Sequence, residues 1–204
     1  MSEVLIAEPT TYMRRATLLP LLLALGACTQ APTSPDQIFS NAEYSGSVSS
    51  LYAVGAPTAG TTPTNFKWKD STGTVHALSE LVGKTVLLNF WATWCGNCVD
   101  EMPVLQDIQT NANGSVVVIG VSTDMTAHPF TTVRDFVQSH NIKYQVVVDS
   151  MMSLEMNYTF LANGSSATPE TFVIGKDGNV KMLLQGAQSK QGFLDDCKGE
   201  LDFE

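Results

Sequence analysis

The chain carries little positive charge. Its 204 residues include 11 Lys and Arg against 20 Asp and Glu, which gives a net charge of −9 at pH 7. Nucleic-acid binding is dominated by Lys and Arg contacts to phosphate, and an acidic surface repels phosphate. We therefore expect no nucleic-acid partner. Apolar residues make up 44% of the chain, which is enough for a folded core.

Metal-binding side chains are also scarce. The sequence holds four Cys and three His. Only Cys95 and Cys98 have the CxxC spacing, and the histidines are scattered along the chain. A structural zinc site needs four ligands and commonly combines two such pairs. We therefore expect no metal site, and a single close pair does not make a multi-bridge disulfide scaffold.

No apolar run is long enough to cross a bilayer, which takes about 20 residues. The longest run lies in Met13–Cys28, where two arginines precede roughly a dozen apolar residues, as in a secretory signal peptide. We predict that residues 1–27 are a signal peptide. Because Glu3 and Glu8 oppose the usual positive charge, we favour Met13 over Met1 as the true start.

Residues 25–28 read LGAC and resemble the lipobox of bacterial lipoproteins. In that motif the cysteine is lipidated and becomes the first residue of the mature protein, so Cys28 is the predicted lipidation site. Lipid would anchor the protein to a membrane without spanning it. The alternative is an ordinary signal peptide with a chance cysteine. In both cases we expect the protein in the bacterial cell envelope, facing the periplasm or extracytoplasmic side, where disulfides persist.

The composition divides the rest of the chain. Residues 28–64 are rich in Ser, Thr, Ala, Pro and Gly and are predicted to form a flexible tether, although SLYAVG, residues 50–55, could dock on the domain. Residues 65–204 are predicted to form the folded domain. A hairpin is predicted to turn at Asp70–Gly73. Two apolar runs, Thr85–Trp91 and Val116–Ser122, predict strands buried on both faces. Strands alternating with helices, then a second hairpin and a last helix, predict an α/β fold with a central mixed sheet flanked by helices.

The segment NFWATWCGNCVDEMP, residues 89–103, places Cys95 at the start of a predicted helix. Free backbone N–H groups and the helix dipole favour a thiolate there, and such settings lower a cysteine pKa from about 8.5 to about 3.5–7.5. Cys98 lies about one turn further along the same side. We therefore predict that Cys95 attacks a substrate disulfide and that the less exposed Cys98 resolves the mixed disulfide.

Glu101 follows Cys98 by three residues and shares its helix face. If Glu101 is buried, its pKa rises and it can accept or relay the Cys98 proton. The alternative is a solvated glutamate that only complements the helix dipole. Spacing alone leaves both interpretations open. The neighbouring Asp100 is predicted to be solvated.

The stretch GKTVLLNFWATWCGNCVDEMP, residues 83–103, resembles the active-site segment of the thioredoxin superfamily. It is most similar to the membrane-anchored TlpA/ResA-like thiol-disulfide oxidoreductases. The likeness covers residues 65–204 and includes ATPETFVIGKDGNV near the end. It implies a thioredoxin-like fold with an extra N-terminal β-hairpin. It also implies that Cys95 is the nucleophile, Cys98 the resolving cysteine and Glu101 a buried proton acceptor or relay.

The resemblance extends to a second loop and includes one departure. Thr168–Pro169 matches the family's cis-proline loop, which implies a cis bond and a backbone beside Cys95 that can pair with an extended substrate. Thioredoxin has a buried aspartate six residues before the first cysteine, and Asn89 stands there. Because an amide cannot exchange a proton, the proton transfer would rest on Glu101 or on water.

Four further residues carry expectations. Trp91 is expected in the core, and Trp94 on the surface beside Cys95, where substrate binds. Glu170 replaces the threonine that usually follows the cis-proline. The replacement either alters substrate preference or is a neutral surface change. Cys197 is expected to be a structural thiol, with an intermolecular disulfide as the alternative.

The resemblance implies a reductase of protein disulfides that cycles between the dithiol and disulfide of Cys95–Cys98 and needs no other cofactor. It suggests apocytochrome c as one substrate, a membrane electron donor of the CcdA/DsbD type and a monomeric state. The dipeptide Gly96–Asn97 between the cysteines is one determinant of the redox potential and does not by itself fix the direction of electron flow. The alternatives are a disulfide-forming oxidase, a copper(I)-binding metallochaperone-type lipoprotein that uses the thiols as ligands, and a redox-inactive binding domain.

Overall fold

The computed structural model describes residues 48–55, 61–161 and 167–201. The predicted signal peptide, Cys28 and residues 29–47 of the predicted tether lie outside the described residues, so those expectations stay predictions. Within the described ranges, no helix combines the length and the apolar character needed to cross a membrane.

Within these ranges the chain forms eight strands, four α-helices and one short 3-10 helix. In chain order they are β1 (Val48–Val54), β2 (Phe66–Lys69), β3 (Val75–Ala77), the 3-10 helix (Leu78–Leu81), β4 (Thr85–Trp91), α1 (Gly96–Asn111), β5 (Val116–Ser122), α2 (Pro129–Ser139), β6 (Gln145–Val148), α3 (Ser153–Leu161), β7 (Glu170–Ile174), β8 (Val180–Gln185) and α4 (Lys190–Asp196).

All eight strands join one mixed sheet in the order β3-β2-β1-β6-β5-β4-β7-β8. The strands β1, β6, β5 and β4 run parallel to one another. The hairpins β2–β3 and β7–β8 pair antiparallel at the two ends, as predicted. Every residue of β4 and β5 is buried, which confirms the prediction of central strands covered on both faces.

The predicted boundary between tether and domain at residue 65 is wrong. Strand β1 lies before it and pairs with β6 in parallel and with β2 antiparallel, so residues 48–54 belong to the sheet. Backbone ladder bonds hold this strand, and the buried Ser49 also accepts a hydrogen bond from Gln145 Nε2 at 2.9 Å. The strand sequence VSSLYAV lacks the strict alternation of apolar and polar residues that identifies a half-buried strand.

The core has two layers, one on each face of the sheet. On β4, Leu87 and Trp91 point to the layer that contains α1, α2 and α4. The intervening Leu88 and Phe90 point to the opposite layer, which contains Leu154 and Tyr158 of α3 together with the N-terminal hairpin. This alternation follows from the period of two in a strand. Asn89 alternates with Leu88 and Phe90 in the same way, so its side chain lies on the α1 side of the sheet, with Leu87 and Trp91.

Candidate active site

Cys95 is the N-cap of α1, directly after the loop that leaves β4. Its backbone is extended, and its sulfur accepts a hydrogen bond from the Cys98 N–H at 3.1 Å. The two cysteines are joined by a disulfide, with their Cα atoms 5.3 Å apart. Cys95 is 7% exposed and Cys98 2% exposed, so the predicted order of accessibility is confirmed. A thiolate at Cys95 would face the unpaired N–H groups of the first helical turn.

The cis-proline loop lies beside Cys95. The Thr168–Pro169 peptide bond is cis, as the resemblance implied. The Cys95 sulfur lies 3.6 Å from the carbonyl oxygen of Thr168. The Pro169 carbonyl accepts a hydrogen bond from the Gly186 N–H at 2.9 Å, which ties the loop to the end of β8. The sulfur of a disulfide that approaches Cys95 would therefore lie close to main-chain groups of this loop.

Glu101 is buried beneath the two cysteines, at 1% exposure. Its Oε1 accepts a hydrogen bond from the Gln188 N–H at 2.8 Å, and its Oε2 accepts one from Asn89 Nδ2 at 3.0 Å. Burial raises the pKa of the Glu101 carboxyl to about 7, and the two hydrogen bonds hold it below what burial alone would give. The alternative of a solvated glutamate is therefore wrong, and the carboxyl can gain or lose a proton near neutral pH.

Asn89 occupies the centre of this buried polar cluster. Its amide donates to both Glu101 Oε2 and Thr171 Oγ1, each at 3.0 Å. The amide therefore links α1 to β7 from its position on β4. It carries no ionisable proton and acts on the site by fixing the Glu101 carboxyl.

The side chains around Cys95 differ in exposure. Trp91 is fully buried and Trp94 largely exposed, which confirms the expected core and surface positions. Gly96 and Asn97 are exposed at the start of α1. A Cβ added at Gly96 would meet no atom within 4 Å, so nothing in the described structure packs over Gly96. A substrate can approach Cys95 over Trp94 and the Gly96–Asn97 turn.

A carboxylate that the sequence interpretation missed anchors the loop before Cys95. The buried Asp124 accepts hydrogen bonds from the Thr93 hydroxyl at 2.5 Å and from the Thr93 N–H at 3.0 Å. It also accepts one from the Ser122 hydroxyl at 2.8 Å. Asp124 directly follows the next parallel strand, and the carboxyl ends of parallel strands meet at one sheet edge. The position of Asp124 after this predicted strand could therefore have indicated a contact with the loop before Cys95.

Of the two interpretations of Glu170, the neutral surface change is wrong. Glu170 is the first residue of β7 and is fully buried. Burial raises the pKa of its carboxyl to about 7, and the nearby buried Glu155 adds to that rise. Glu170 pairs with Gln185 in the β7–β8 ladder. A strand that starts at Glu170 does not by itself indicate whether the first side chain is covered, so the sequence left its burial open.

Cys197 lies far from this chemistry. It caps the end of α4, is buried and is a free thiol. Burial raises the pKa of the Cys197 thiol to about 11, and Asp196 and Glu200 add to the effect. A thiol that is buried and protonated fits the expected structural role. Among the described residues, no group of three or more His, Cys, Asp or Glu side chains is arranged to hold a metal ion.

The sequence of this chain is similar to those of known proteins. Residues 59–183 match the model of the AhpC/TSA family. The thiol-disulfide oxidoreductase ResA of Bacillus thuringiensis (strain Al Hakam) is 33% identical over 134 residues, which cover 64% of this chain and 73% of that protein.

Solved structures show the same fold. A thiol:disulfide interchange protein of the thioredoxin family from Chlorobium tepidum TLS superposes with a TM-score of 0.59 at 27% identity, covering 71% of this chain and 99% of that one. The pneumococcal exposed lipoprotein thioredoxin of Streptococcus pneumoniae strain TIGR4 superposes with a TM-score of 0.55 at 26% identity, covering 66% and 98%. The predicted thioredoxin-like α/β fold is confirmed.

Proposed function

Because this chain belongs to the AhpC/TSA family and is a ResA-like thiol-disulfide oxidoreductase of the thioredoxin superfamily, we propose that it reduces disulfides in exported proteins. The observation that carries the proposal is the placement of the Cys95–Cys98 disulfide at the start of α1, with the Cys95 sulfur 3.6 Å from the Thr168 carbonyl oxygen. This geometry presents one sulfur to a substrate and keeps the other beneath it.

The first half-reaction uses the reduced enzyme. The Cys95 thiolate attacks one sulfur of the substrate disulfide, so the substrate S–S bond breaks and a Cys95–substrate disulfide forms. The leaving substrate sulfur departs as a thiolate and takes a proton from water. The main chain of Thr168 is placed to pair with an extended substrate during this step. Its role, like that of Trp94, is to orient the substrate.

The second half-reaction releases the product. Cys98 loses its proton and attacks the Cys95 sulfur, which re-forms the Cys95–Cys98 disulfide and frees the second substrate thiol. Glu101 supplies the base, because its carboxyl lies one turn from Cys98 and its pKa is raised to about 7 by burial. The substrate gains two electrons from the enzyme and two protons, one from water in the first half-reaction and one from the Cys98 thiol by way of Glu101 in the second.

The reduced enzyme must then be regenerated. The Cys95–Cys98 pair itself is the redox group, and a membrane electron donor of the CcdA/DsbD type would return two electrons to it. Apocytochrome c is one candidate substrate, because haem attachment requires its cysteines in the reduced form. The proposed location is the extracytoplasmic side of a bacterial membrane, with a lipid on Cys28 as anchor and the protein as a monomer. The LGAC motif and the similarity to an exposed lipoprotein thioredoxin support the anchor.

Two measurements test the proposal. Redox titration in glutathione buffers should give a potential near the thioredoxin end of the known range of about −270 to −120 mV. A potential near the upper end would contradict reduction and favour the oxidase alternative. The variant Cys98→Ser should accumulate a mixed disulfide with substrate proteins, visible on a non-reducing gel. Cys95→Ser is the matched control, and trapping by that variant would contradict the assigned order of attack.

A further inference from the structure

Exposed apolar side chains concentrate at the end of the sheet where Cys95 lies, beyond the carboxyl ends of the parallel strands. Among the described residues, eight large apolar side chains are exposed: Tyr52, Val75, Val82, Trp94, Met125, Phe130, Met151 and Met156. Five of them lie at the carboxyl ends of the four parallel strands: Tyr52 in the last residues of β1, and Trp94, Met125, Phe130 and Met151 after β4, β5 and β6. Exposed apolar side chains in such a group mark binding surfaces more often than isolated ones do.

Three of these five side chains line a groove at the end of β1 and β6. Tyr52, Phe130 and Met151 form its rim, and Leu51 and Val148 lie beneath them. The groove has a volume of about 410 Å³. Its lining combines two aromatic rings with a methionine, and methionine adapts its shape to different apolar partners.

Hydrogen bonds connect this groove to the active site. The Asp124 carboxylate accepts a hydrogen bond from the Thr93 N–H at 3.0 Å. Trp94 follows Thr93 and Met125 follows Asp124, so this bond holds the two exposed side chains in neighbouring loops. The Asp149 N–H donates to the Ser122 carbonyl at 2.9 Å, which joins the loop after β6 to the end of β5. The loops that carry Trp94, Met125 and Met151 are therefore held together at one end of the sheet.

The distance along this end of the sheet suits a polypeptide. Cys95 follows β4, and the groove lies at β6 and β1, up to three strands away in the sheet order. At about 4.8 Å between neighbouring strands this separation is about 14 Å, which an extended chain covers in about four residues. A side chain about four residues from a cysteine that Cys95 attacks could therefore reach the groove.

We propose that this groove binds an apolar side chain of an unfolded substrate polypeptide, about four residues from the cysteine under attack. The inference rests on the proposed function and adds a substrate class to it. An unfolded chain exposes the apolar residues that a folded disulfide protein buries. Selectivity for such segments would direct the enzyme to proteins that have not yet folded.

The test compares two double variants of the full chain. Tyr52→Ser with Met151→Ser removes the groove rim, where the side chains are 60% and 79% exposed. Val75→Ser with Val82→Ser is the control, since these side chains are 40% and 56% exposed and lie away from this end of the sheet. The substrates are glutathione disulfide and two peptides with a mixed-disulfide cysteine, which differ only in leucine or serine four residues from it.

Burial of one large apolar side chain shifts an equilibrium by roughly ten- to a hundredfold. We expect the wild type and the control to prefer the leucine peptide about tenfold in kcat/KM, and the groove variant to lose that preference. Glutathione disulfide, which is too short to reach the groove, should be reduced equally by all three proteins. An unchanged preference in the groove variant, or the same loss in the control, would overturn the inference.

Two further readouts separate the possible failures. If the wild type reduces neither glutathione disulfide nor the peptides, the proposed function fails, and calorimetry with a cysteine-free leucine peptide still tests the groove. Binding of the peptide by the wild type and the control but not by the groove variant would support the groove as a binding site. Equal binding by all three proteins would overturn that assignment. Sedimentation showing that the wild type dimerises and the groove variant does not would assign the groove to a second copy of the chain instead.

Discussion

The side-chain amide of Asn89 donates a hydrogen bond to Glu101 Oε2 at 3.0 Å, beneath the Cys95–Cys98 pair. Glu101 thus has two fixed donors, since the Gln188 N–H binds its other oxygen at 2.8 Å. Burial outweighs these contacts and raises the pKa of the carboxyl to about 7. A proton acceptor is therefore held in place one helical turn from the resolving cysteine by a residue that cannot itself exchange a proton.

Replacing Glu101 should slow the second half-reaction specifically. In Glu101→Gln the amide cannot accept the Cys98 proton, so we expect the mixed disulfide to decay about a hundredfold more slowly at pH 7. Attack by Cys95 should change much less. Rapid quench and non-reducing gels would measure both steps separately. In the wild type the decay rate should rise as the pH passes through about 7, when the carboxyl ionises, and this rise should be absent in the variant.

Asp100→Asn is the matched control for this experiment. Asp100 is the preceding acid on α1 and is exposed. Its replacement removes the same charge from the same helix without touching the buried cluster. Equal slowing in both variants would show that Glu101 acts only through the general field of the helix, and would contradict its role as base.

Replacing Asn89 by aspartate should move the pH profile upward. Asn89→Asp places a second carboxyl within hydrogen-bond reach of Glu101, and two neighbouring carboxylates cannot both ionise easily. We expect the pair to share a proton and the midpoint of the resolving step to rise by about one to two pH units. The variant should therefore be slow at pH 7 and recover at pH 9. A profile that coincides with the wild type would contradict the pairing of these two residues.

The features that the sequence predicted correctly are those with local signals. The pair Cys95 and Cys98, the helix that begins after Cys95 and the buried strand before it are encoded within one short segment. The cis bond before Pro169 came from resemblance, because the same loop accompanies that segment throughout the family. Burial of Glu101 could be stated only as a condition, since helical spacing defines a face but not what covers it.

The features that were missed depend on residues far apart in the chain. Gln188 reaches Glu101 across 87 positions, and Asp124 reaches Thr93 across 31. Strand β1 lacks the strict alternation of apolar and polar residues that identifies a half-buried strand, and it is held by its neighbours in the sheet. The burial of Glu170 depends on side chains outside its own segment, among them the buried Glu155. Composition and periodicity report local preference, so contacts of this kind appear only once the fold is known.

Glu170 should make the folded protein less stable as the pH rises. Its pKa is about 7 when folded, against an ordinary value of 4.5. The ionised form is disfavoured in the fold, so stability should fall between about pH 4.5 and 7 and be level above. Linkage for this difference gives roughly 3 kcal/mol. Glu101 should add a similar decline over the same range.

Urea unfolding at several pH values would test this. Each of Glu170→Gln and Glu101→Gln should remove part of the decline in the free energy of unfolding, and the double variant should remove most of it. The comparison is between pH 5 and pH 8 within each protein, so a constant cost of the substitution cancels. A wild type whose stability rises over this range would show that these carboxyls ionise readily in the fold.

Cys197 should be unreactive in the folded protein. Its thiol is buried, and its pKa is raised to about 11 by that burial. Because the thiolate is the reactive form, we expect no alkylation of Cys197 by iodoacetamide at pH 8 in native buffer and complete alkylation in urea. Peptide mass spectrometry of the reduced protein would follow each cysteine separately, with Cys95 as the internal control that reacts in both conditions.

The same experiment decides between the two roles expected for Cys197. An intermolecular disulfide requires a sulfur that a second molecule can reach, whereas this one contacts the apolar layer beneath α4. Wild type and Cys197→Ala should therefore both run as monomers on a non-reducing gel after air oxidation. A dimer in the wild type that disappears in Cys197→Ala would contradict the structural role, because α4 would then have to open enough to expose its last turn.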